Sequence, residues 1–277
     1  MALDRPTNDQ PDRPQTPSRP DTPSDPHGVD HLTRAEAFAS HRYWNEVPRF
    51  SAAKDQLAER WPGQRNRESA APRVHDVSAE RRHEAAEKVR GIADGEPPIS
   101  DAVRAAVEGS PLGGELAGYE HRCKGPDRLM EKVLDGLEAQ PDATPGEVIG
   151  RIPDAIRFTV CFNTSEYVSG YLDMKDRIES AGFAMYYLKN SWAESEYKGI
   201  NTRWVTPEGQ RFEVQFHTRE SFHAKHEVTH LAYERLRGTE ATRAERADLS
   251  AFQCEVSSWV PLPARVTEIA DYRKEGF

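Results

Sequence analysis

Apolar and polar residues alternate strictly over the stretch Arg211–Thr218. Alternation with a period of two predicts a strand that buries only one of its faces. The apolar face comprises Phe212, Val214 and Phe216, and the polar face comprises Glu213, Gln215 and His217. A carboxylate, an amide and an imidazole in one row indicate that the polar face is directed into a cleft that binds a polar ligand.

The patterns around this strand predict a sheet with packed helices. Residues 200–205 predict a second strand, joined to the first by a hairpin turn at residues 206–210. Residues 155–162 and 183–188 predict two more strands, and a helical period over residues 166–181 lies between them. A β-α-β unit followed by a hairpin makes a mixed sheet, so the expected fold class is α+β.

Helical patterns precede and follow this unit. On the N-terminal side they begin with a capping box at residues 33–36 and continue to Trp61, over residues 78–92 and over residues 100–107. On the C-terminal side they cover residues 220–237 and 242–259. The predicted organisation is a disordered tail over residues 1–32, a helical region over residues 33–112, a central domain over residues 113–240, and a C-terminal helix and tail over residues 241–277.

Composition narrows the class of protein. The tail contains seven prolines between Pro6 and Pro26 and almost no apolar residues, so it cannot bury enough surface to fold. The mean hydropathy is −0.80, and no apolar run is long enough to cross a membrane. Three cysteines and the lack of a visible secretion signal favour a reducing cytoplasm, with export by a specialised system left open.

A net charge of −9 opposes nonspecific binding to nucleic acid, so any phosphate site must be a local basic cluster. One such cluster surrounds the start of a helix predicted at Pro126. Arg122 and Lys124 precede this helix, and Arg128 and Lys132 lie four residues apart on one of its faces. Cations beside free backbone N–H groups form an anion site. The alternative is an ordinary solvated face of a charged helix.

Five motifs follow one another in a fixed order. The basic run is followed by Asp154 with Arg157, then by Tyr197-Lys198-Gly199, by Glu213-x-Gln215, and by a helix rich in His and Tyr. Over residues 113 to 237 this order resembles the synthetase domain of RelA/SpoT-like nucleotide pyrophosphokinases, also called alarmone synthetases. The resemblance implies a nucleotidyltransferase-like fold. It also implies transfer of pyrophosphate from ATP to the 3′-hydroxyl of an acceptor nucleotide, with Mg²⁺ as the cofactor.

The resemblance also implies a role for each matching residue. Asp154 and Glu213 would bind Mg²⁺, and Glu213 would also orient or deprotonate the attacking hydroxyl. The residues that would hold the phosphates of ATP are Arg122, Lys124, Arg128, Lys132 and Arg157. The residues that would line the acceptor side are Tyr197, Lys198, Asn201, Gln215 and His217, with Tyr197 stacked on the base. Phosphoryl-type transfer needs this kind of positioning and charge neutralisation more than covalent help from the protein.

The chain departs from the family pattern at three places. Asp154 lies three residues before Arg157, where the family has five. Residues 196–201 read Glu-Tyr-Lys-Gly-Ile-Asn, where the family has Gly-Tyr-Arg-Ser-x-His, and His217 replaces an arginine. These changes bear on the acceptor, which is expected to be GDP or GTP, an adenine nucleotide or the 3′ end of a tRNA. Divergent members of the family include toxins, which makes an antitoxin or immunity protein an expected partner.

Two other classes of function remain open from the sequence. His226-Glu227-Val228-Thr229-His230 is an H-E-x-x-H motif, and on a helix it would place two zinc ligands on one face, as in zinc metalloproteases, with Glu255 as a possible third ligand. The other class is a non-catalytic nucleotide-binding module that keeps the basic cluster without using the carboxylates. His75-Asp76 matches the metal-binding pair of HD-type phosphohydrolases, but the further ligands of those enzymes are not visible in the sequence.

Overall fold

The computed structural model describes residue 59, residues 74–238 and residues 241–276. The predicted tail over residues 1–32 and, apart from residue 59, the predicted helices between residues 33 and 61 lie outside the described residues. Within the described ranges, no helix combines the length and the apolar character that a membrane span requires.

A mixed sheet organises the fold, as the sequence predicts, and it has six strands where the sequence indicated four. Its strands are β1 (Glu115–Leu116), β2 (Arg157–Phe162), β3 (Ala184–Asn190), β4 (Ile200–Val205), β5 (Arg211–Thr218) and β6 (Tyr272–Arg273). Their order across the sheet is β1-β2-β5-β4-β3-β6. β2 and β5 are parallel to each other, and the other neighbouring pairs are antiparallel. The predicted α+β class is therefore confirmed.

The apolar face of the sheet forms the core. Phe212, Val214 and Phe216 of β5 are fully buried, as the alternation predicts. Helix α4 (Tyr167–Ser180), which connects β2 to β3, packs on this face. The Tyr171 ring packs edge-on against the Phe216 ring, with the ring centres 5.1 Å apart. The Tyr167 hydroxyl donates a hydrogen bond of 2.8 Å to the backbone carbonyl of Phe216. The β-α-β unit thus buries the apolar face and leaves the polar face for other contacts.

One predicted boundary is wrong. The two helices expected over residues 78–92 and 100–107 form one helix, α1 (Ala79–Gly109), which runs through Pro97 and Pro98. Ile92, Ile99 and Val103 remain buried on one face, so packing favours continuation across the prolines. The helix packs against α2 (Pro126–Ala139), α3 (Pro145–Gly150) and α4, and its buried residues belong to the same core as the sheet.

The single helix expected over residues 220–237 is also interrupted. It consists of α5 (Arg219–His223), a π-helical turn (Ala224–Val228) and α6 (His230–Arg237). The last helix, α7 (Arg243–Ser258), matches its prediction to within a residue at each end. It packs against α6 and the π-helical turn. Residues of these helices form one side of a large cleft above the sheet.

Candidate active site

A cleft of about 700 Å³ lies over the polar face of the sheet, between strands β2, β4 and β5 and the C-terminal helices. We call it the polar cleft. Seven of the residues singled out from the sequence line it, namely Lys124, Asp154, Arg157, Tyr197, Lys198, Asn201 and Gln215. The strand register explains this convergence, because Thr159, Gln215 and Asn201 lie opposite one another on β2, β5 and β4. Residues far apart in sequence thus reach one concave surface.

Cations surround an acidic residue at one end of the polar cleft. Asp154 accepts from Lys124 Nζ at 2.7 Å and from Lys132 Nζ at 3.0 Å. Burial raises the pKa of Asp154, but the two ammonium groups outweigh that effect and lower it to about 2. The carboxylate is therefore ionised at neutral pH, and the site carries two positive charges against one negative charge.

Arg157 and Glu213 lie beside each other in the register of β2 and β5. Arg157 is exposed at the first position of its strand, and its side chain forms no hydrogen bond or ion pair with another described residue. Glu213 is only 7% exposed and is not one of the lining residues of the polar cleft, but it accepts a hydrogen bond from Gln215, which is one of them. Within the described part of the chain, a guanidinium without a side-chain partner thus lies beside a nearly buried carboxylate.

Gln215 connects two charged groups along the floor of the polar cleft. Its side-chain amide nitrogen donates to Glu213 Oε1, and its side-chain oxygen accepts from Lys225 Nζ. Only this orientation of the amide satisfies both neighbours, because an ammonium can only donate and a carboxylate can only accept. Gln215 therefore holds the Glu213 carboxylate in place.

Tyr197 forms a wall of the polar cleft and is fixed by a polar network. Its hydroxyl donates to Asn201 Oδ1 at 2.9 Å and lies 3.0 Å from His217 Nε2. His217 Nδ1 lies 2.9 Å from the Ser221 hydroxyl. A Cβ atom at Gly199 would lie 2.8 Å from the His217 ring, so only glycine allows this close approach. Burial lowers the pKa of His217 well below its usual value, so the ring is neutral.

Four of the predicted site residues are engaged or placed differently from the expectation. Lys198 lines the polar cleft, but its ammonium donates to the carbonyls of Trp192 and Glu194. His217 is fully buried behind Tyr197. Arg128 is exposed on α2 and does not line the polar cleft.

Arg122 is the fourth. Its guanidinium Nε lies 2.6 Å from Glu96 Oε1 and 2.9 Å from the Ser100 hydroxyl, both on α1. The hydrogen bond to Glu96 is the main cause of a raised Arg122 pKa. The backbone of the same residue accepts from Arg157 N at 2.7 Å. Arg122 therefore connects α1 to the start of β2 and does not reach the polar cleft.

Lys225 is a residue of the polar cleft that the sequence did not single out. It lies in the π-helical turn, and its ammonium lies 5.7 Å from the centre of the Tyr197 ring. Its pKa is lowered to about 8, chiefly by burial and also by Arg157, and Glu213 opposes both effects. A regular helix was predicted here, and the direction of Lys225 depends on the extra residue of the π-helical turn.

The H-E-x-x-H motif does not form a metal site in the described residues. The rings of His226 and His230 both line the polar cleft, with their centres 6.0 Å apart. The one cluster of three or more possible metal ligands in the described ranges is His75, Asp135 and Glu138, where α1 begins against α2. That cluster contributes nothing to the lining of the polar cleft. The geometry does not favour the zinc metalloprotease.

No protein-family model and no curated protein sequence matches the chain. Solved structures similar to it include a chain of the complex between the Type VI effector Tas1 and its immunity protein, at 15% identity and a TM-score of 0.42, covering 68% of this chain and 100% of that chain. Another is small alarmone synthetase 1 from Bacillus subtilis bound to its product pppGpp, at 16% identity and a TM-score of 0.39, covering 68% and 92%.

A further crystal structure of the Bacillus subtilis enzyme covers 77% of this chain and 92% of its own, at 14% identity and a TM-score of 0.36. Small alarmone synthetases are the class of enzyme that the sequence motifs resemble. At these identities and scores, the similarities assign no residue role to this chain, and every role rests on the geometry of the polar cleft.

Proposed function

We propose that the chain is an ATP-dependent pyrophosphokinase that transfers pyrophosphate to the 3′-hydroxyl of an acceptor nucleotide. The observation that carries the proposal is the placement of Arg157 and Glu213 next to each other, beside a cleft that also contains Lys124, Asp154 and Tyr197. Cations for a polyphosphate, carboxylates for a metal ion and a ring for a base meet on one sheet face. The order of the same residues in the sequence supports the same reaction.

The phosphates of ATP bind at the cationic end of the polar cleft. Lys124 and Arg157 line the polar cleft at this end. Lys132 is connected to it by the hydrogen bond that its ammonium donates to Asp154. Arg157 is the best placed of these, because it has no described partner to leave before it binds phosphate. Charge neutralisation and alignment of the phosphates supply most of the rate in such a reaction.

The two carboxylates fit a hard divalent cation. Mg²⁺ prefers carboxylate oxygens, and the low pKa of Asp154 keeps that group ionised. Asp154 and Glu213 would hold the ion, which neutralises charge on the transferred phosphates when it is bound. Both Asp154 oxygens accept from lysines, so metal binding there requires at least one lysine to move onto the phosphates.

The acceptor nucleotide binds on the other side, against Tyr197 and Asn201. Glu213 orients the 3′-hydroxyl and takes its proton, and Gln215 keeps the carboxylate in position. The 3′-oxygen forms a bond to the β-phosphorus of ATP as the bond from that phosphorus to the α–β bridging oxygen breaks. AMP leaves, and the acceptor gains both terminal phosphates. GDP, GTP, an adenine nucleotide or the 3′ end of a tRNA all present the required hydroxyl.

The test is formation of AMP from ATP and Mg²⁺ with each candidate acceptor, followed by chromatography. We expect AMP and a more negatively charged product in equal amounts, and a loss of about 1,000-fold in rate for Glu213→Gln, because one preorganised group commonly contributes two to three orders of magnitude. Glu208→Gln is the matched control, since Glu208 is exposed in the β4–β5 turn. Equal rates for wild type and Glu213→Gln would contradict the proposal.

Such a reaction consumes ATP and a second nucleotide together, so we also propose that the enzyme inhibits bacterial growth and has an immunity protein as its partner. Expression of the intact chain in bacteria should slow growth, and expression of Glu213→Ala to the same level should not. Equal growth of the two strains would remove the toxin role and leave the enzymatic proposal intact.

A further inference from the structure

The π-helical turn at Ala224–Val228 directs a cation into the polar cleft. Thr229 closes the turn, because its backbone N–H and its hydroxyl both donate to the Ala224 carbonyl, at 2.8 and 3.0 Å. A π turn adds one residue to a helix and changes the direction of the side chains in it, and such turns often occur at functional sites. Lys225 lies within this turn and lines the polar cleft.

The contacts of Lys225 leave its charge uncompensated. Its ammonium donates to the neutral Gln215 side chain and lies above the Tyr197 ring, and it forms no ion pair within the described part of the chain. Lys225 is half-buried, and an ammonium withdrawn from water is costly unless an anion accompanies it. Glu213, the carboxylate that raises the pKa of Lys225, is already hydrogen-bonded to Gln215. The ammonium of Lys225 can therefore bind an anionic group of a ligand.

The position of Lys225 identifies which ligand supplies that anion. The cationic end, where ATP is proposed to bind, is formed by Lys124, Lys132 and Arg157. On the acceptor side, β5 contributes His217, which is buried and neutral and already bonded to Tyr197. Lys225 is thus the cation that faces the Tyr197 ring, where the acceptor base is proposed to stack.

We infer that the ammonium of Lys225 binds a phosphate group of the acceptor nucleotide. The inference rests on the proposed function of the polar cleft and adds the residue that selects a phosphorylated acceptor over a free nucleoside. Binding exchanges the hydrogen bond to the neutral Gln215 amide for one to an ionised phosphate oxygen, in which the donor and the acceptor are both charged.

The charge of Lys225 is sensitive to pH, which gives the test a second readout. Burial and Arg157 lower its pKa to about 8, so the ammonium is mostly charged at pH 7 and mostly neutral at pH 9.5. The titratable or charged groups that face Lys225 from the neighbouring elements are Arg157, Cys161, Tyr197, Glu213, His217 and His226. Burial raises the pKa of the Cys161 thiol and of the Tyr197 phenol and lowers that of both imidazoles, so none of these four changes charge near pH 8.

The experiment measures binding of ADP, GDP, adenosine and guanosine by calorimetry to the wild type, Lys225→Met and Lys225→Arg. For Lys225→Met we expect affinity for the diphosphates to fall about 10- to 100-fold, as for loss of one hydrogen bond to a charged group, with affinity for the nucleosides unchanged. Wild-type affinity for the diphosphates should fall between pH 7 and 9.5, and Lys225→Arg should retain it. Lys175→Met is the control, since Lys175 pairs with Glu179 outside the polar cleft.

In turnover, Lys225→Met should raise KM for the acceptor and leave KM for ATP nearly unchanged. Equal diphosphate affinity in wild type and Lys225→Met would overturn the inference and leave the proposed function standing. Equal losses for nucleosides and diphosphates would also overturn it, since they indicate a structural role. If the wild type binds neither these diphosphates nor ATP, the proposed function and the inference both fail.

Discussion

The two faces of the central strands differ in what their side chains do. On the apolar face, Phe212, Val214 and Phe216 are completely buried under α4 and contact only other protein groups. On the polar face, Glu213 and Gln215 are also more than 90% buried, yet they lie beside charged groups that surround an open cleft. Burial alone therefore does not distinguish a core residue from a site residue. The distinction depends on whether a buried group finds all of its hydrogen-bonding and charge partners within the protein.

The largest effect should separate the two faces directly. Phe216→Ala should lower the free energy of unfolding by about 3–5 kcal/mol, because it leaves a cavity against Tyr171. Glu213→Gln should change that free energy by less than about 1 kcal/mol, since it keeps the shape of the side chain. Urea unfolding followed by circular dichroism measures both. A larger loss for Glu213→Gln than for Phe216→Ala would break the comparison between the faces.

The connection between α1 and the sheet should have the next largest effect. Glu96→Ala leaves Arg122 without its main partner and should cost about 2–3 kcal/mol, less than for a fully buried pair because Arg122 is partly exposed. Unfolding in urea checks this value. Glu120→Ala is the control, since Glu120 is exposed on the neighbouring 3-10 turn and should cost little. If Arg122 binds ATP phosphate instead, Glu96→Ala will release it and tighten ATP binding.

Asp154 in the polar cleft should have a smaller effect on the free energy of unfolding, and this effect should depend on pH. The folded-state pKa of Asp154, about 2, lies below its ordinary value of 3.8, so its contribution is present above pH 4 and disappears as the pH falls towards 2. Asp154→Asn should therefore lower the free energy of unfolding by about 1–2 kcal/mol at pH 7. The difference from wild type should shrink to nearly zero at pH 2. A difference that stays constant with pH would show that the lysines do not stabilise the ionised form.

Removing the half-buried charge of Lys225 should change the free energy of unfolding by about as much as Asp154→Asn, but with the opposite sign. The pKa of Lys225 in the folded chain, about 8, is below its ordinary value of 10.5, so folding is opposed by this group at neutral pH and the penalty declines above pH 8. Lys225→Met should raise the free energy of unfolding by about 1–2 kcal/mol at pH 7. Thermal unfolding at pH 7 and pH 10 measures it. A lower free energy of unfolding for Lys225→Met than for wild type at pH 7 would mean that Lys225 stabilises the folded chain.

The sequence predicted the faces of the sheet better than the directions of its cations. Alternation over residues 211–218 placed each side chain on its face, because burial on one side requires that period. The continuation of α1 through Pro97 and Pro98 could not be predicted, since local propensity opposes it and tertiary packing decides it. The direction of Arg122 depends on Glu96, which lies 26 residues away, and no local pattern reveals that pair.

The surroundings of Tyr197 were the least predictable part of the polar cleft. Tyr197, Asn201 and Gln215 line the polar cleft, as their positions next to or within strands predicted, and their role towards an acceptor stays a prediction. Lys225 was missed because helical periodicity gives no sign of the π-helical turn that directs it. Two strands of two residues each, β1 and β6, were missed because a pattern that short carries no periodicity.

Transfer of both terminal phosphates as one group is the central claim, and labelled ATP tests it most directly. The protein is incubated with Mg²⁺, an acceptor nucleotide and ATP labelled at either the β- or the γ-phosphorus, and the products are separated by chromatography. The account predicts that either label appears in the same acceptor product, in amounts equal to the AMP formed. Label only from the γ-phosphorus with release of ADP, or both labels in free pyrophosphate, would contradict it.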